Sequence, residues 1–154
     1  MVMNNLGDPA VRNVVLLRLS HLRQRAKPNW GQMSAHQMLC HLSDSFKVPL
    51  GEKQVSKATG PLQRSIVKWI ALYLPVPWPK GFPTRPEIKQ GIGGTVPTDF
   101  ERDLQELLSL VERFTTWRSG LVLAPHPFFG KMTFFEWMRW GYLHTDHHLR
   151  QFGV

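Results

Sequence analysis

The sequence has a single cysteine, Cys40, so no intrachain disulfide can form. Disulfide scaffolds belong to oxidising compartments, and a cytoplasmic location is therefore the expectation. No apolar run approaches the roughly 20 residues needed to span a bilayer. The opening residues, MVMNNLGDPA, lack the charged and apolar regions of a secretory signal. No membrane partner is expected. Acidic residues are scarce, with 11 Asp and Glu against 19 Lys and Arg, for a formal net charge of +8. Such a balance raises nucleic acid as a partner. The cations are nevertheless spread along the chain, and the densest group is only Arg18, Arg23, Arg25 and Lys27. A solvated basic surface is the expected outcome, with no nucleic-acid partner.

Several signatures are also missing. No stretch alternates apolar and polar residues as a half-buried strand does, and no internal repeat is present. There is no HExxH, which argues against a metalloprotease using glutamate as base. Gly91, Gly93 and Gly94 are not followed by lysine at P-loop spacing, so no phosphate cradle is expected there. Paired catalytic carboxylates and a Ser-His-Asp set are not visible.

What is present is a chain of 154 residues, 42% of them apolar, read as a single domain over residues 1–154. Asp8-Pro9 opens a helix expected near 9–26, with Val11, Val14, Val15, Leu19 and Leu22 at helical spacing. Ser34 with Gln37 forms a capping box opening a second helix, near 34–48. Its apolar stripe is Ala35, Met38, Leu42 and Phe46, with His41 at the edge. Asp44 is placed to accept a proton from that imidazole, Cys40 reads as a small buried hydrophobe, and His36 and His21 read as surface residues.

Residues 49–60 read as a polar loop, followed by a short helix near 61–74 with Leu62, Ile66, Trp69, Ile70 and Tyr73 as core contacts. Pro75 to Pro86 is too proline-rich for a helix interior or a central strand. It reads as a packed surface loop anchored by Trp78 and Phe82, rather than a lid or a ligand for a proline-recognising domain. Thr98 with Glu101 has the form of another capping box, opening a helix near 98–118 whose buried stripe is Phe100, Leu104, Leu107, Leu108, Val111 and Phe114. Gly120 to Gly130 reads as a loop, in which His126, held between two prolines, could line a site but by its loop position is not expected to.

The last helix, near 133–152, opens on a capping box of Thr133 and Glu136 and closes at Gly153. Trp137, Gly141, His144, His148 and Phe152 fall on one stripe, with Arg139, Asp146 and Arg150 off it. His144 and His148 therefore stack one turn apart on the face expected to be buried, where two imidazoles can share one metal ion. His41 is the candidate third ligand. Neutral imidazoles suit zinc, nickel, iron or copper, and three of them leave a coordination position open. His147 points around the helix and reads as a flanking residue. The expected architecture is all-α, with the four longer helices closing into a four-helix bundle.

The segments WGQMSAHQMLCHLSDSF (30–46) and HTDHHLRQFG (144–153) resemble the DinB/YfiT superfamily. LYLPVPWPKGFPTRPE and HPFFGKMTFFEW resemble one branch of it, and the likeness covers essentially the whole chain. The resemblance implies an up-down-down-up bundle, often dimeric, with a homodimer as the expected assembly. It implies one metal bound by a histidine of the second helix and an HxxxH pair of the last, which here are His41, His144 and His148. Zinc or nickel heads the list of metals, with iron next. It further implies a small-molecule substrate and thiol-dependent transferase or isomerase chemistry with bacillithiol, mycothiol or glutathione. A metal-dependent hydrolase and a non-enzymatic metal-binding or stress-response module are the alternatives. Where relatives often follow their last histidine with Arg-Gly-Gln, this chain has Leu149-Arg150-Gln151, and it carries a long insertion near 49–97.

Overall fold

The computed structural model describes residues 3–116 and 122–154, which are all-helical, with one isolated antiparallel bridge between His126 and Gly130. The five α-helices are α1 (Pro9–Ser20), α2 (Ala35–Lys47), α3 (Lys68–Tyr73), α4 (Phe100–Thr115) and α5 (Phe134–Gln151). A π-helical turn, Gln63–Val67, leads into α3, and a 3-10 turn, Pro86–Ile88, follows the proline loop. No helix among these residues is long and apolar enough to cross a membrane.

The helix starts follow from capping. Asp8 accepts from the Ala10 amide at the head of α1, with Pro9 inside the first turn. Reciprocal capping boxes open α2 (Ser34 with Gln37) and α5 (Thr133 with Glu136). The box expected at Thr98 is absent. Asp99 is the cap of α4, accepting from the Arg102 amide at 2.8 Å, while the Thr98 amide donates to Asp103 at 3.1 Å. A carboxylate one residue further on serves the orphan amides in place of the threonine hydroxyl, so the helix starts later than its sequence pattern. The expected end at 117–118 and the start of the following loop at Gly120 lie outside the described residues.

α1 is also shorter than expected. It stops at Ser20, whose hydroxyl donates to the Leu17 carbonyl at 2.7 Å while the His21 amide turns back onto Leu17 and Arg18. Such side-chain bonding competes with continuation of the helix.

α2 packs along α4, α1 lies against α5 and α4, and α3 rests on α5. The space between them is filled by Leu6, Leu19, Met38, Leu42, Phe46, Leu107, Phe114 and Trp137, all fully buried. Each contributes on the order of 1.5–3 kcal/mol by leaving water. Gly141 lets this packing close. A Cβ there would lie 2.9 Å from Leu6 Cδ1 and 3.0 Å from Phe114 Cε1.

Two expected apolar stripes hold only in part. Val14 of α1 is exposed, so that helix meets the core through Val15 and Leu19, with Leu22 buried just beyond its end. In the 61–74 segment the inward residue is Leu72, with Val67 and Ala71 packed beside it. Leu62, Ile66, Trp69 (56%) and Ile70 face outward, and only Tyr73 of the expected set packs on the core. The anchoring polar contacts explain the rotation. Lys68 pairs with Glu136 at 2.9 Å, and the buried Arg139 donates to the Leu72 carbonyl at 3.0 Å and the Asn4 carbonyl at 2.7 Å. Arg139, expected away from the buried stripe, is thus enclosed on a second covered face of α5.

Candidate metal centre

The middle of α2 and the second half of α5 bring His41, His144 and His148 together, with one ring nitrogen from each lying within 4.8 Å of the others. His41 Nε2 and His144 Nε2 are 3.3 Å apart. The ring centroids are 4.9 Å apart for His41 and His148, and 4.9 Å apart for His144 and His148. These are the residues that the sequence pattern singled out.

Outer contacts orient two of the three rings. His41 Nδ1 lies 3.3 Å from the Ile88 carbonyl, and His148 Nδ1 lies 2.8 Å from Gln151 Oε1. Each oxygen requires a donor, so each Nδ1 carries the proton and each Nε2 is left with a lone pair. That is the arrangement by which ligating histidines are usually fixed. His144 is held differently. Its Nδ1 is buried and has no hydrogen-bond partner among the described residues. Its ring is instead sandwiched by aromatic groups, with Trp140 at 5.0 Å and Trp78 at 6.0 Å between centroids.

Burial drives the protonation of the cluster. It pushes His41 below the usual imidazole range, against the opposing effects of the Ile88 carbonyl and Asp44. His144 is pushed well below by burial and then by His148 and His41, and His148 falls to about 3 from burial and then His41. All three are therefore neutral at physiological pH, the state in which imidazole can ligate a metal.

Asp44 does not take the role expected of it. Its carboxylate accepts from the Thr95 amide at 2.8 Å and hydroxyl at 2.6 Å, and pairs with Lys53 at 2.9 Å. The loop carrying Thr95 captures the side chain, and a backbone carbonyl from the 3-10 turn replaces it at His41. Trp78 fulfils the anchoring expectation, donating to the Ala71 carbonyl at 2.9 Å, whereas Phe82 is exposed. The proline loop so lays an indole on the candidate centre. Beyond it, Lys80 sits over the Trp30 ring, which meets the edge of His147.

His126 is the histidine whose place was not foreseen. Its Nδ1 accepts from the Phe128 and Phe129 amides at 3.1 and 3.0 Å, and its ring packs between Phe129, Trp137 and Trp140. Burial lowers it to about 3. It supports the Trp140 wall of the centre and belongs to no donor set.

A second donor set, His36, Cys40 and Asp103, joins α2 to α4. His36, expected at the surface, lies 2.7 Å from Asp103 Oδ2, and Cys40 Sγ lies 3.6 Å from the same oxygen. Burial first, and then Asp103, push the Cys40 thiol up to about 12, so it stays protonated. Burial raises Asp103, but the Thr98 amide, His36 and Cys40 together bring it below the usual carboxylate range. This group satisfies itself by hydrogen bonds, while the three-histidine group turns the Nε2 atoms of His41 and His144 toward each other at 3.3 Å.

Gln151 was not singled out from sequence, although its position three residues after His148 places it on the same side of the helix. The Ile88 carbonyl had no legible signal, because it arrives through the long insertion.

No curated protein and no solved structure matches the chain. A family model described as "Protein of unknown function (DUF1569)" matches residues 4–153, and the chain belongs to that family.

Proposed function

We propose that His41, His144 and His148 hold one divalent transition metal ion, zinc or nickel before iron, and that the protein is a metal-dependent enzyme acting on a small molecule. The observation that carries this reading is the convergence of three neutral imidazoles, His41 and His148 buried and His144 half-buried, two of them with Nδ1 already committed to a carbonyl oxygen. The packing of α2 on α4 and of α1 on α5 is consistent with a DinB/YfiT-like up-down-down-up bundle, which we adopt as the architecture.

When bound, such an ion supplies positive charge that favours the ionised form of a thiol or water beside it. The chain's own residues do the rest. The Ile88 carbonyl and Gln151 orient two imidazoles, while Trp78 and Trp140 shield the third from water. Thiol-dependent transfer or isomerisation in the cytoplasm is the preferred chemistry, because the carboxylates carried by the two ligand-bearing helices are engaged elsewhere, Asp146 with Arg18 and Arg150. Asp44 is held by Thr95 and Lys53, and Glu136 by Lys68 and Thr133. Neither is free to act as a general base for hydrolysis.

The test offers the metal-loaded protein monochlorobimane with bacillithiol, mycothiol or glutathione in turn. Conjugation above background that is lost in His144→Ala supports the reading. A cobalt-substituted sample whose absorption spectrum is unchanged by every thiol would replace it with a hydrolase or a non-enzymatic metal-binding module.

A further inference from the structure

Away from His41, His144 and His148, the segment before the π-helical turn, that turn itself and the 126–130 turn, with His126 on the lining, enclose a cleft of about 380 Å³. Three cations line it, Lys57, Arg64 and Lys131, and no carboxylate does. The ammonium groups of Lys57 and Lys131 have no partner among the described residues. Arg64 spends only its Nε, on the Gly60 carbonyl at 3.4 Å, leaving its terminal nitrogens open. Thr59 is also a lining residue, and its Oγ1 is buried with no hydrogen-bond partner among the described residues. Three like charges around one cavity repel each other, and a buried hydroxyl without a partner is costly. One ligand relieves both, an anion rich in acceptor oxygens.

The cleft is also built to hold its cations in place. The Ala58 amide donates to the Pro127 carbonyl at 2.9 Å, fastening one wall to the other. Gly130 has φ +70°, and a Cβ there would lie 3.0 Å from both Cγ and Cδ of Arg64. A glycine is therefore required for the arginine stem to lie against the turn and present its guanidinium to the cavity. Phe129 adds an apolar wall, and the volume falls within the range of small-molecule sites.

We propose that this cleft is a binding site for a phosphate-bearing small molecule. Arg64, Lys57, Lys131 and the Thr59 hydroxyl receive the phosphate, and the organic part lies on Phe129. The site is separate from the three histidines and does not depend on a metal there.

The test titrates the full-length protein with phenylphosphonate, and separately with inorganic phosphate and with potassium chloride at matched ionic strength, following assigned amide resonances. Saturable shifts centred on Ala58, Gly130 and Lys131 are expected, with phenylphosphonate binding more tightly than phosphate because of the Phe129 wall. Arg64→Gln and Lys131→Gln should each weaken binding about tenfold or more, as expected for loss of a charge-assisted bond, while Arg25→Gln should change it less than about twofold. Lys57, Arg64 and Lys131 are exposed, so these variants keep the fold, which circular dichroism checks. Shifts that do not saturate, that chloride reproduces, or that centre on His144 and His148 would overturn the proposal. So would an Arg64→Gln effect no larger than that of Arg25→Gln.

Discussion

His41 and His144 are 103 residues apart in the chain, yet their Nε2 atoms are 3.3 Å apart. Two imidazole nitrogens at that distance share either a proton or a cation. A shared proton satisfies the pair but leaves His148 Nε2 out of the arrangement. A shared metal ion uses all three rings, and on that basis the contact is read as half of a metal centre.

Gln151 tests whether the ring orientations matter. Its Oε1 receives the His148 Nδ1 proton at 2.8 Å, and its Nε2 donates to the Trp30 carbonyl at 2.7 Å. In Gln151→Leu the outer acceptor disappears while the ligand remains. Metal affinity should fall roughly 10–100-fold, the usual effect of losing such a partner. Competition against a chelating indicator measures it, and an unchanged affinity would mean that the Gln151 contact does not set the His148 ring for a metal.

Trp78 tests the covering of the centre. Its indole lies over His144 and is tied back to the Ala71 carbonyl. In Trp78→Ala, metal release to excess chelator should be at least several-fold faster, with the stoichiometry unchanged. Stopped-flow release kinetics equal to wild type would show that the proline loop does not limit access.

His126 tests the acid sensitivity of the fold. Burial lowers it from 6.5 to about 3, so between those values the unfolded chain binds a proton at this position that the folded chain does not. Stability is therefore fully present above pH 6.5 and declines as pH falls toward about 3. The loss from this group is at most on the order of 5 kcal/mol, at about 1.4 kcal/mol for each pH unit of the window. In His126→Phe the slope of unfolding free energy against pH should be shallower across that window. The Phe128 and Phe129 amides lose their acceptor, so the neutral-pH stability should also drop by about 1–3 kcal/mol. Urea melts from pH 7 downward measure both, and a slope identical to wild type would contradict the assignment.

What the sequence made legible was governed by local rules. Two capping boxes, the Asp8-Pro9 start and the i,i+4 histidine pair depend on neighbours within one turn, and each appears where expected. The misreadings came where a distant residue decides. Asp44 was turned from His41 by Thr95 and Lys53, and His36 was drawn inward by Asp103. The 61–74 stripe was assigned to the core because it is apolar at helical spacing. Leu72 and the Lys68–Glu136 pair instead turn that face outward.

The most direct measurement is an anomalous-scattering map of crystals of the protein loaded with a slight excess of zinc or nickel, recorded at the metal's absorption edge. The account predicts one strong peak per chain bounded by His41, His144 and His148, absent from crystals of His144→Ala and retained in His21→Ala. A peak at His36, Cys40 and Asp103 instead, or no ordered peak at all, would contradict it.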